Sequence, residues 1–201
     1  MRNLFKTILF LMALQAATFW VGCGGGHKLV GTPARLGWVP FADSSRSAPP
    51  EVVNREIYTA LDNSGSFMIH SVDSNFTIWN LERMTQFQDS SIQYILTGSM
   101  VSERQYFKKG TRIPFLVYAP KVVYEFELYY RLYNAAEKKW EDISELTASS
   151  SQRAGYQFLE FKAVDPDLSI SAPDRQFLRK RALRALSDKL VRRLEKRMNI
   201  K

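Results

Sequence analysis

The chain holds few side chains suited to chemistry. Its 201 residues include one cysteine and two histidines. Cys23 ends an apolar run, His27 follows shortly after, and His70 lies in a short apolar segment. A metal centre needs three or four ligands at close spacing, and no His/Cys cluster of that kind occurs. A phosphate cradle needs a glycine-rich loop between a strand and a helix; Gly24, Gly25 and Gly26 precede the first predicted strand instead. Asp43, Glu125, Glu127, Glu141, Asp142 and Glu145 could pair for acid–base work, but strand alternation places Glu125 and Glu127 on a wet face. This inventory predicts a protein that is not an enzyme and carries no metal or cofactor.

The thiol is better explained by its setting. Arg2 and Lys6 form a short basic region, and the 14 residues from Thr7 to Trp20 are apolar except for Gln15. That length suits the core of an export signal and falls short of the roughly 20 residues that span a bilayer. Trp20-Val21-Gly22-Cys23 resembles the lipobox of bacterial lipoproteins, with Trp20 where Leu is usual. The resemblance implies cleavage before Cys23, acylation of Cys23 and membrane attachment through that lipid. Gly24 is not the Asp that favours inner-membrane retention in enteric bacteria, so the resemblance further implies the periplasmic face of the outer membrane. An ordinary secretory signal with an unmodified cysteine is the plainer alternative. The expected organisation is therefore a signal peptide over 1–22, a lipidated cysteine and flexible tether over 23–33, and one periplasmic domain over 34–201.

Apolar content of 45% and aromatic content of 13% indicate a globular chain. A lone cysteine allows no internal disulfide, so packing must supply the stability. The net charge is +8, and residues 174–201 hold 11 Lys or Arg against 3 Asp or Glu. The excess therefore sits in the last segment. Basic charge suits nucleic acid, anionic lipid or an acidic partner; the export signal argues against nucleic acid.

Periodicity predicts an α/β (α+β) domain with a mixed or antiparallel sheet. Residues 34–41 read as a strand and 51–63 as a helix opened by Pro49 and Pro50 and stopped by Gly65. A second strand follows at 67–72, and Ser74 or Asn75 can cap a helix bearing Ile78, Leu81 and Met84. Residues 92–103 form a third strand in which Gly98 suggests a bulge or a close backbone approach. In 122–133, Val122, Tyr124, Phe126, Leu128, Tyr130 and Leu132 share one face, and 140–148 can return as a hairpin partner. A strand at 156–164 is less distinct. Ser171, Pro173 and Asp174 open a basic helix with Leu183, Leu186, Leu190, Leu194 and Met198 in a stripe.

Val39-Pro40-Phe41, the segment Tyr94-Ile95-Leu96-Thr97-Gly98-Ser99, the hairpin with Lys138-Lys139-Trp140 and the terminal basic helix occur in a distinctive order. Their arrangement resembles the periplasmic domain of a group of bacterial envelope lipoproteins. The group comprises the curli-secretion lipoprotein family, the lipoprotein activators of penicillin-binding proteins, and flagellar outer-membrane lipoproteins. The resemblance implies a non-catalytic accessory or assembly factor of an envelope machine, acting by protein–protein recognition. It leaves the envelope partner unidentified and homo-oligomerisation open. A lipid- or lipopolysaccharide-handling lipoprotein is the alternative, and it requires an apolar groove between sheet and helices.

Residues 104–121 read as a long link between two strands, combining Arg104, Lys108, Lys109, Arg112 and Lys121 with Tyr106, Phe107, Phe115 and Tyr118. Long links in compact domains often carry function, and Arg and aromatic side chains dominate binding energy at interfaces. These residues are the expected partner-binding surface. A hairpin extension whose aromatics fold back on the core is the structural alternative. The basic helix, with Arg175, Arg179, Arg181, Arg184, Arg192, Arg193 and Arg197, allows two readings: a surface for anionic groups, or a solvated helix face over its leucine stripe.

Overall fold

The protein's computed structural model describes residues 32–43, 50–72, 91–108, 112–113, 117–118, 121–153, 157–158 and 170–200. All lie within one compact unit, residues 31–201. Cys23, the expected helix near residues 74–84, Lys109, Phe115 and most of the expected strand at 156–164 lie outside the described residues.

Strand β1 (Ala34–Trp38) is followed by the short β2 (Ala42–Asp43) and helix α1 (Pro50–Asn63). The helix begins on its proline with Glu51 in the first turn, near the positive end of the dipole. It ends before Gly65, whose φ of +66° is a conformation that glycine adopts without strain. The chain returns as β3 (Phe67–Ser71), parallel to β1, which completes a βαβ unit. The Asn54 side chain ties α1 to the end of the first segment: it accepts from the Phe41 N–H at 2.7 Å and donates to the Phe41 carbonyl at 3.0 Å.

Three long strands complete the main sheet. β4 (Tyr94–Lys108) runs parallel to β1, then antiparallel to β7 (Lys121–Asn134), which pairs antiparallel with β8 (Lys139–Arg153). The sheet is mixed, ordered β3-β1-β4-β7-β8, with β2 alongside β4. Between β4 and β7, β5 (Arg112–Ile113) pairs with β6 (Val117–Tyr118), which pairs with β9 (Gln157–Phe158) in a second, small sheet. Helix α2 (Ala172–Arg197) closes the domain. Ser171 caps it as expected: its hydroxyl accepts from the Asp174 N–H at 3.3 Å and donates to the Asp174 carboxylate at 2.6 Å.

One core lies between the sheet and the two described helices. Leu36, Leu96, Met100, Phe126, Leu128, Tyr130 and Leu132 meet Ile57 and Leu61 of α1 and Leu183, Leu186, Leu190 and Leu194 of α2. The face assignment for 122–133 is correct on this side, where Tyr124 is half-buried and the other five are buried. The opposite face is drier than expected. Val39, Val72, Ile92, Ile95 and Tyr133 form a second small cluster there, and Trp140 packs its ring edge-on to Tyr133 at 5.2 Å. Glu127 is half-buried and accepts from the Ser102 hydroxyl at 2.9 Å, so the strand alternates between two covered faces rather than one dry and one wet.

Gly98 meets the expectation of close approach. A Cβ there would stand 2.4 Å from the Tyr129 carbonyl oxygen and 2.8 Å from the Phe41 ring. The bulge itself falls three residues later, at Val101, between Met100 and Ser102. Gly98→Ala should therefore destabilise by at least about 1–3 kcal/mol through overpacking. Phe126→Ala should cost about 3–5 kcal/mol. Glu145→Ala, on the exposed side of β8, should stay within about 0.5 kcal/mol. Denaturant titration of the three variants checks the order, and equal losses for Phe126→Ala and Glu145→Ala would contradict the face assignment.

Candidate functional site

The expected link at 104–121 is in large part strand. The strand does not stop at Glu103: β4 pairs with β7 in register as far as Lys108 opposite Lys121. It continues because aromatic residues such as Tyr106 and Phe107 favour a pleated surface and β7 supplies an unbroken partner. Only residues 109–120 join the two strands, and they carry β5 and β6. The structure thus describes a twisted hairpin extension with a small sheet at its end.

The bulge at Val101 decides which side chains show on each face. Before it, Leu96 and Met100 face the helices; after it, Glu103, opposite Phe126 in register, does so. Arg104, Tyr106 and Lys108 are consequently exposed on the far face, while Phe107 is half-buried on the other. Arg104 reaches Glu125 at 3.0 Å and Glu127 at 3.6 Å. The Tyr106 hydroxyl donates to Glu125 at 3.3 Å, and burial followed by the Glu125 charge raises its pKa. Arg104 remains 59% exposed at its side chain, so these ion pairs orient it without hiding it. Arg112 is the register partner of Tyr118 across β5 and β6. The candidate residues thus divide into Arg104, Tyr106 and Lys108 on one face of the hairpin, Phe107 on the other, and Arg112 and Tyr118 in the small sheet.

Two clusters that the sequence reading did not single out organise α2. The Glu103 side chain, 4% exposed, accepts from the Arg179 Nε at 2.6 Å and from the Tyr124 hydroxyl. The Arg179 guanidinium also lies 5.8 Å from the Phe126 ring centre. Burial, then the bond to Glu103, drives the Tyr124 pKa strongly upward. On β8, the Asp142 carboxylate accepts from Tyr130 at 2.6 Å, Ser144 at 2.8 Å, and the Nε atoms of Arg193 and Arg197 at 3.1 Å each. Burial alone would raise the Asp142 pKa, but the bonds from Tyr130, Arg193 and Ser144 and the Arg193 charge outweigh it and hold the carboxyl at about 2. Burial and the Asp142 partner push Tyr130 up to about 12. Arg193 and Arg197 each follow a buried leucine, Leu190 and Leu194, by three residues, but that spacing does not say which strand supplies the acid, and Arg179 has no such signal.

Among the described residues no group of three or more His, Cys, Asp or Glu could hold a metal ion. The space between the sheet and α1 and α2 is filled by the core side chains, with Phe126, Tyr130, Leu186 and Leu190 fully buried. The open depressions lie at the surface. One is bordered by Thr32, Tyr94, Asn134, Glu137 and Met198, another by residues of α1 and α2 that include Glu56, Lys180, Arg184 and Asp188. Neither of these two is an apolar groove: polar and charged side chains make up most of each border.

No protein-family profile and no curated protein sequence matches the chain. Several solved structures superpose on the chain in part. Protein CT253 of Chlamydia trachomatis superposes with a TM-score of 0.47 at 10% identity, over 80% of this chain and 96% of that one. A minor lipoprotein from Acinetobacter baumannii gives 0.43 at 10% identity, over 82% and 93%. Protein XCC0632 from Xanthomonas campestris gives 0.45 at 10%, over 80% and 83%. At these scores no role passes from them to this chain.

The Asp142 cluster yields a pH prediction. A folded-state pKa of about 2 lies below the usual aspartate value near 3.9, so its contribution to stability is complete above about pH 4. That contribution is lost as pH falls through about 2. Urea midpoints measured from pH 5 down to pH 2 should decline for the wild type, and Asp142→Asn should start lower and decline less. Parallel curves would show that other carboxylates govern the acid limb.

Proposed function

We propose that this chain is a lipid-anchored accessory factor of a cell-envelope machine that recognises a protein partner through the β4–β7 hairpin extension and its small sheet. The observation that carries the reading is the exposed row Arg104, Tyr106 and Lys108 on the far face of the hairpin, with Arg112 and Tyr118 paired in the small sheet beyond it. Planar guanidinium and phenol groups give contact energy at low entropy cost. Lys109, Phe115 and Lys121 belong to the same proposed surface, and half-buried Phe107 supports it from the opposite face. Cys23 supplies the anchor, on the outer membrane's periplasmic side, and the glycine tether keeps the domain at high local concentration near its target. Chemistry is not part of the proposal: the carboxylates Glu103 and Asp142 accept from arginines of α2 and from Tyr124 and Tyr130 of the sheet.

Two substitutions test the two halves separately. Cys23→Ser in the full-length protein should leave an unprocessed precursor or release the protein from the membrane fraction; normal processing and unchanged detergent partitioning would refute the anchor. Arg112→Ala combined with Tyr118→Ala should abolish co-purification of the partner from native envelopes and leave the melting temperature nearly unchanged. A double variant that folds and still retains its partner would place recognition elsewhere. One that unfolds would show that these side chains serve the fold.

A further inference from the structure

The positive charge of the chain resides in α2, and the structure divides that charge into two sets. Arg179, Arg193 and Arg197 face the sheet and are held by Glu103 and Asp142. Lys180, Arg181, Arg184, Arg192 and Lys196 are exposed. None of these five forms an ion pair with a described residue; Arg181 instead lies 5.6 Å from the ring centre of Phe177, which is itself 57% exposed. At about 100° per residue, Phe177, Arg181, Arg184 and Arg192 fall on the side of α2 opposite the buried Leu186 and Leu190. Lys189 leans off this ridge to donate to the Thr147 carbonyl at 2.9 Å. Three acids of α2 share this side: Asp174, which accepts from the Ser171 hydroxyl at 2.6 Å, Asp188, and Glu195, whose carboxylate accepts from Ser66 at 2.6 Å; Glu56 of α1 borders it.

We infer that this ridge, Phe177, Arg181, Arg184 and Arg192 with Lys180 and Lys196 beside it, is a docking surface for an anionic phospholipid bilayer. The helix has 26 residues, about 39 Å of straight rod, and its exposed cations are spread along it from Lys180 to Lys196; Lys180, Arg184 and Arg192 also border the shallow depression shared with Glu56 of α1. Cations spread in this way suit a plane of phosphate headgroups. An exposed phenylalanine among unpaired cations is the composition of an interfacial helix: the ring enters the headgroup boundary while the cations stay with the phosphates. Each cation near such a surface adds attraction that falls off within a Debye length. The position of the chain's entry agrees. Thr32 borders the same depression as Met198, Asn199 and Ile200, so the segment leading back to Cys23 joins the domain beside the end of α2. Attachment at Cys23 and contact along the ridge can then serve one membrane, the acyl anchor holding the domain at the surface and the basic patch orienting it there. That shared placement rests on the proposed lipidation; binding of vesicles by the ridge does not.

Every buried apolar side chain among the described residues lies between Ala34 and Leu194, so residues 31–201 carry their own core and can be tested without the leader and the lipid. Co-sedimentation with phosphatidylcholine vesicles should be weak and should rise when phosphatidylglycerol is included, and high salt should reverse the rise. Arg181→Gln, Arg184→Gln and Arg192→Gln together should lower partitioning on the order of 100-fold, whereas Arg55→Gln on α1 should leave it unchanged. Phe177→Ala should weaken the salt-resistant remainder. Equal binding to neutral and anionic vesicles would overturn the inference, as would a folded triple variant that binds like the wild type. Capture by an acidic envelope protein without any vesicle binding would overturn it as well. Should the triple variant melt early, the pair Arg184→Gln and Arg192→Gln gives the same readout. Because the fragment lacks Cys23, failure here leaves the lipid anchor untouched.

Discussion

Two buried carboxylates set how α2 lies on the sheet. Glu103 on β4 meets Arg179 near the start of the helix, and Asp142 on β8 meets Arg193 and Arg197 near its end. A carboxylate removed from water is costly unless every lone pair finds a donor, so these acids tolerate little sliding or rotation of the helix. The leucine stripe supplies most of the attraction, but leucines accept many small displacements. The ion pairs select one of them. Glu103 reaches α2 because β4 is bulged, whereas Asp142 does so in the regular alternation of β8. The irregularity at Val101 turns Glu103 to the helix side, and the one between Leu132 and Tyr133 lets Trp140 lie with Tyr133 while Asp142 faces α2. Strand register, helix seat and charge placement form one linked constraint.

That constraint accounts for the division of positive charge. Arginine suits the sheet side because its planar fork serves a carboxylate while its stem packs against rings, as Arg179 does over Phe126. Lys180, Arg181, Arg184, Arg192 and Lys196 are left on the outer side, where none of them pairs directly with an acid among the described residues. The same helix is thus an internal clamp on one side and a positive ridge on the other. Replacing an arginine by lysine would have different consequences on the two sides: the ridge depends on charge, the clamp on forked geometry.

The bulge at Val101 also shapes the hairpin extension. By exchanging the faces of β4, it places Arg104, Tyr106 and Lys108 on the surface away from the helices and leaves Glu125 and Glu127 beneath them. The acids hold the arginine in an orientation without burying it. Recognition surfaces gain from such pre-ordering because less side-chain entropy remains to be lost on binding.

Much of the fold was legible in the residue pattern. The alternation in 122–133, the proline entry and glycine exit of α1, the Ser171 cap and the leucine stripe of α2 are local signals with local causes, and the structure has each of them. The extent of β4 and the role of the basic residues were not legible. Residues 104–108 read as a link because they carry no apolar–polar alternation, and they are strand because β7 pairs with them. The arginines of α2 look alike in the sequence. Which of them are clamps depends on Glu103 and Asp142, which lie 76 and 51 residues from their arginine partners Arg179 and Arg193, and Glu103 is aimed by a bulge that leaves no mark in composition. Local propensity determined the elements. Register, which is a property of pairs of strands, decided which charges face inward and which meet solvent.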